Sequence, residues 1–391
     1  MNSFSRIFLL LCLAFSLSIA NAVSKEKQEQ GPISLRTMGS LLFGGTVTKK
    51  PDGNTFHGDH GYAQFYIPEH ARQYPLVFWH GMMQSGRTWE STPDGREGFQ
   101  AIFPRDDWAV YIIDQPRRGR AGYTQAQVSV KDDVPAASQE SATWTVFRNG
   151  IWTPPGEMTL FERVQFPNDP VAIDQFFRQQ TPNTGDEPRT NEHRKFMGKT
   201  MSSLLDRTGE SILVTHSNSG QYGWFSGMEN PDNIKAIVAY EPGQFVLPDN
   251  EPVKEVPTDN KIASEVLNPI LVPEAEFKKL TKMPIMVVFG DNIVDTPNEN
   301  FNQEAWRVIR ERGRQFVEAI NRHGGDATLV ELPKIGIHGN THALMADKNN
   351  LEIAAHLQKW LQEKGLDGKK TPHMGPRPLK NSQPSLPLQK Q

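Results

Sequence analysis

The decapeptide Ser211–Gly220, SILVTHSNSG, constrains this chain most. Strand-forming residues run into a cluster of small ones, with Ser217 at the bend. A strand that turns sharply through a serine into a helix is the local architecture of a nucleophile elbow. Such a turn crowds its own backbone, so the residues two before and two after the serine must be small. Thr215 and Ser219 stand there in place of the usual glycines, and both are small. As plain structure, the same cluster is a helix N-cap following a strand. The surrounding chain decides between the two.

Short apolar runs recur along the sequence. Tyr62–Ile67 alternates in polarity, and PLVFW (75–79), AVYII (109–113), IKAIVAY (234–240), PIMVVF (284–289) and ATLVEL (327–332) are each closed by turn residues. Runs of this length fit strands buried on both faces of a parallel sheet. Helical patterns lie between them, over 95–103, 191–206, 220–228, 300–322 and 350–363. The alternation predicts an α/β fold, a doubly wound and mostly parallel sheet. Between Asp114 and Ser211 the strand signals fade, and Pro, Gln and Trp accumulate. A cap or lid inserted at about 117–205 explains this better than a structureless loop. The folded domain is expected over 23–367. Residues 368–391, rich in Pro, Lys, Gln and Ser, are expected to form a disordered tail.

Residues 1–22 read as a signal peptide. Arg6 supplies the positive end, 7–19 the apolar run and Ala20-Asn21-Ala22 the small-x-small cleavage site. The run is short for a bilayer, so no membrane span is expected after cleavage. The one cysteine, Cys12, lies inside this segment. A mature chain would then have no disulfide, no thiolate metal site and no cysteine nucleophile. An exported chain without cysteine points to a bacterial periplasm or to secretion. A net charge of −3 gives no electrostatic reason to expect nucleic acid as a partner.

In an open α/β sheet, ligands bind at the carboxyl ends of the strands. The residues closing the strands are His80-Gly81, Asp114, Ser217, Glu241, Asp291 and a late loop with His338 and His342. A serine, then acids, then a histidine near the end is the chain order of one class of catalytic triad. Ser219 rivals Ser217, but it would place bulky Gln221 where the turn needs a small residue. Glu241 and Asp291, with Asp295 nearby, are the candidate acids. His338 and His342 are the candidate bases. His216 lies on the wrong side of the turn for a base and is read as packing beside it. The charged run 114–120, DQPRRGR, could bind an anion, and a solvated turn is the favoured reading. Trp144 and Trp152 either floor a pocket or pack the cap.

On these residues the chain resembles the α/β-hydrolase superfamily from roughly Tyr62 to Leu361. It looks closest to a small branch of secreted bacterial serine esterases with a glutamate acid. The elbow residues Thr215 and Ser219 depart from the superfamily's glycines. The resemblance implies Ser217 as nucleophile, His342 as base and Glu241 as acid. Asp291, where most of the superfamily places its acid, is the alternative. It implies an oxyanion hole from the N–H groups of Met82 and Asn218. Met82 and Met83 would also wall an acyl pocket, or else fill core. The implied activity is carboxylic ester hydrolysis through an acyl-enzyme, on a small-molecule ester, with no cofactor or metal. Lactone, amide or peptide hydrolysis on the same fold, or a catalytically silent binding protein, are the alternatives.

Overall fold

Strand register brings the carboxyl ends of four strands to one level. The computed structural model describes residues 31–123 and 134–378. The signal segment 1–22 with Cys12, and residues 379–391, lie outside the described residues. The chain from Leu35 onward forms one unit, and residues 31–34 carry no helix or strand.

The main sheet contains β1 (Leu35–Lys49), β2 (Thr55–Pro68), β3 (Leu76–Trp79), β4 (Val110–Asp114), β5 (Ser211–His216), β6 (Ile234–Tyr240), β9 (Ile285–Phe289) and β10 (Ala327–Glu331). A small parallel pair, β7 (Val246–Pro248) and β8 (Ile270–Val272), stands apart. The main order is β1-β2-β4-β3-β5-β6-β9-β10. β1, β2 and β4 pair antiparallel, and the rest pair parallel. This is the expected mostly parallel α/β sheet. The helices are α1 (Phe99–Arg105), α2 (Glu140–Val146), α3 (Pro170–Gln179), α4 (Asn191–Thr208), α5 (Ser219–Glu229), α6 (Lys261–Val266), α7 (Glu274–Phe277), α8 (Phe301–Arg322) and α9 (Asn350–Glu363).

Successive strand residues point to opposite faces, so each short apolar run feeds two cores. Val77, Trp79, Leu213, Ile237 and Val287 meet α4, α5 and α8 through Met201, Phe225 and Phe316. Leu76, Phe78, Ile212, Val214 and Val238 meet α1 and α9 through Phe103 and Leu357. Burial on both faces is why these strands read as continuous apolar runs.

Three expectations change. β1 and β2 form a long antiparallel hairpin that starts well before Tyr62, with Leu35 opposite Pro68 and Lys49 opposite Thr55. The insertion is shorter at its carboxyl side than 117–205, because α4 packs against β1 and α5 as part of the sheet's own helical layer. The tail does not leave the fold at Gly368. Gly368 O accepts from Gln73 N–H at 2.8 Å, and the Arg377 N–H donates to Arg207 O at 2.7 Å. Buried His373 lies 2.8 Å from the Tyr111 hydroxyl. Residues 368–378 are thus held by polar contacts that an apolar-periodicity reading does not register.

Candidate active site

β5 ends at His216, and Ser217 takes φ 55°, the left-handed region that a non-glycine residue holds only under constraint. The constraint is visible. Ser217 N–H donates to Tyr240 O at 3.0 Å, and Ser217 O accepts from the N–H groups of Gly220 and Gly243, both at 3.0 Å. Holding such a conformation costs about 1–3 kcal/mol, which the neighbouring packing must offset. The two non-glycine elbow residues are accommodated specifically. Thr215 Cγ2 fills space beside Gly223, where a Cβ would come within 2.9 Å of it. Ser219 Oγ accepts the His216 N–H at 2.9 Å and lies 3.1 Å from Trp79 O, so it closes the turn. The glycine that makes room for Thr215 stands at 223, in the facing helix turn.

The register sets Trp79 opposite Thr215, and His216 opposite Tyr240. His80-Gly81, Ser217 and Glu241 therefore leave the sheet side by side. Glu241 also holds positive φ, at 51°. Its side chain is fully buried. His342 Nδ1 lies 3.2 Å from Glu241 Oε2. Glu241 Oε1 accepts from Arg148 Nη2 at 2.6 Å and from the Gly290 N–H. Burial by itself pushes the Glu241 carboxyl up, but the Arg148 charge and the His342 hydrogen bond outweigh it and hold the group at about 2. It is an ionised acceptor for His342. Burial lowers the proton affinity of His342, Glu241 raises it, and the net shift is downward from 6.5. The imidazole is packed by Trp306, His216 and Phe147 at centroid distances of 4.4, 4.6 and 4.9 Å. Among the described residues the Ser217 hydroxyl makes no hydrogen bond.

The rival residues are placed elsewhere. Asp291 Oδ2 accepts the Gly339 N–H at 2.8 Å and lies 3.4 Å from His338 Nδ1. That pair braces the late loop, and His338 is half exposed. His216 Nε2 donates to His342 O at 2.8 Å. Burial drives its proton affinity down to about 3, so it is neutral and anchors the His342 loop. Asp347 accepts from Thr341 N–H, Thr341 Oγ1 and Asn340 Nδ2, fixing the same loop. Burial pushes its carboxyl up to about 7 despite those three donors.

Gly81, in the loop after β3, lies close to Ser217, and Met82 and Asn218 follow these two residues in the chain. Neutral His80 donates Nδ1–H to Gly81 O at 2.8 Å, while its Nε2 accepts the Gln115 N–H at 3.3 Å. With Gly81 O turned to His80, the trans peptide directs the Met82 N–H the opposite way. Among the described residues neither the Met82 nor the Asn218 N–H has an acceptor. A Cβ on Gly81 would lie 3.1 Å from Ser217 Cβ, so a side chain there would crowd the close approach of this loop. Met83 Sδ accepts the Ser138 hydroxyl at 3.0 Å.

The run 114–120 is not a solvated turn. Arg117 and Arg118 are buried, and Arg118 pairs with Glu187 at 2.8 Å while donating to Thr184 O and Gly185 O. Asp114 accepts from the N–H groups of Gly86 and Arg120. The run bolts the insertion to the sheet. Trp144 packs on Phe166 and Phe177 within the insertion, and Trp152 lies beside Phe177. Arg148 was not foreseen, because it sits in the motif-free stretch FRNG. Among the described residues no helix is long and apolar enough to cross a membrane, and no three His, Cys, Asp or Glu side chains converge as metal ligands.

No family model matches the chain. A bacterial esterase of known structure superposes on 86% of this chain and 99% of its own, with a TM-score of 0.67 and 30% identity. A fungal protein (strain ATCC 74256) described as a probable secreted lipase, phiG, is 27% identical over 333 residues, spanning 77% of this chain and 85% of that one.

Proposed function

The chain belongs to the α/β-hydrolase superfamily, and we propose that it is an exported serine esterase with Ser217, His342 and Glu241 as its triad. One observation carries the reading. A strained serine at the end of the central strand and a buried histidine–carboxylate pair occupy adjacent loops at one edge of the sheet. Ionised Glu241 keeps the proton of neutral His342 on Nδ1, which leaves Nε2 to act as base.

Ser217 Oγ attacks the ester carbonyl as His342 Nε2 takes its proton. The Met82 and Asn218 N–H groups hold the oxyanion. His342 then gives the proton to the departing alcohol. Water, activated by the same imidazole, attacks the acyl-enzyme and releases the acid. Export is supported by the 1–22 signal pattern and by the description of the fungal relative as secreted.

The test is hydrolysis of short-chain nitrophenyl esters by the wild type, S217A and S219A. S217A, folded by circular dichroism, loses turnover by about 10³-fold or more. S219A keeps its nucleophile and loses only turn stability. Unchanged turnover in folded S217A would sink the mechanism.

A further inference from the structure

The insertion between β4 and β5 reaches the site through three consecutive residues. Val146 O accepts from Trp306 Nε1 at 2.7 Å. Phe147 O accepts the His342 N–H at 2.8 Å, and its ring stands edge-on to the imidazole. Arg148 Nη2 donates to Glu241 Oε1 at 2.6 Å, while its Nε donates to Asp291 O at 2.8 Å. The guanidinium carbon lies 4.9 Å from the centroid of the Trp306 ring, which also packs His342. Arg148 holds φ 57°, so its backbone as well as its side chain is fixed by surroundings. The ion pair is dry, with the arginine side chain 1% and the glutamate 0% exposed.

A buried carboxylate needs a charged partner. Resting His342 is neutral and supplies only a hydrogen bond. We propose that Arg148 is a positioning residue acting through Glu241, so that the triad is assembled only when the inserted segment is docked on the sheet. This rests on the reading of Ser217, His342 and Glu241 as a triad. Arginine suits the task because its planar fork reaches the carboxylate and the Asp291 carbonyl together, which a lysine cannot do.

The charged or titratable groups around His342 are Glu241 after β6, Arg148 from the insertion, neutral His216 at the end of β5, and Asp347 through Thr341 in its own loop. Among them Arg148 is the fixed cation, and it lowers the proton affinity of His342. Neutralising it must raise that affinity. The experiment is an NMR titration of ¹³C-labelled histidine in the wild type, R148Q and R148K, with H342Q to identify the signal. It is paired with kcat and KM on a short nitrophenyl ester. The titration needs no turnover, so it separates this proposal from a failure of the esterase reading.

In R148Q the His342 midpoint rises by about one pH unit, and kcat falls roughly 100-fold with KM little changed. In R148K the charge stays but the fork is lost, so the midpoint holds while kcat falls roughly tenfold. A folded R148Q with the wild-type midpoint and kcat would overturn the proposal. If R148Q does not fold, R148K decides it, since wild-type kcat there also overturns it.

Discussion

Ser217 and Glu241 hold left-handed backbone at the ends of neighbouring strands. Glu241, not Asp291, faces His342. E241Q should therefore lower kcat by about 10³–10⁴, as loss of the orienting carboxylate does in triads generally. It should also move the acidic limb of kcat/KM to lower pH, because Glu241 raises the proton affinity of His342. D291N should leave kcat within about threefold. Measuring both variants across one pH series checks the assignment, and the reverse pattern would transfer the acid to Asp291. Ser217, Glu241, Asp291, His338 and His342 were legible as candidates because each ends or follows a short apolar run, and the runs alone did not choose among them. Arg148 was not, since its role depends on a fold-back from the insertion that no local pattern encodes.

At the scale of the element, the elbow's missing glycines explain themselves only in three dimensions. Thr215 fits because Gly223, one turn into the helix that follows the bend, leaves room for its methyl group. G223A should destabilise the protein by about 1–3 kcal/mol in denaturant unfolding, from overpacking against Thr215. T215A/G223A should recover most of that loss, because residues in contact are non-additive. Strictly additive effects would show that the two positions do not share the space. The sequence alone identified the small residues of the turn but not this compensation. It found only the Tyr62–Ile67 end of the β1–β2 hairpin, because β1 and the start of β2, rich in Gly, Thr and His, lack the continuous apolar runs that mark the central strands. The 114–120 run was misjudged because charge suggests solvent, whereas Arg118 is buried against Glu187.

At the scale of the whole molecule, the sheet order does the assembling. β5 lies between β3 and β6, so Gly81, Ser217 and Glu241 meet although they are far apart in the chain. The late loop after β10 brings His342, and the insertion brings Phe147 and Arg148, to the same edge. This convergence was legible as a rule about strand ends, and its polar bracing was not. The central claim is that Ser217 is the nucleophile of this assembly. A fluorophosphonate probe tests it most directly, since phosphonylation requires an activated serine. Peptide mass spectrometry should find one adduct, on Ser217, and none on folded H342Q. An adduct on Ser219, or no adduct on a protein that turns over esters, would contradict the account.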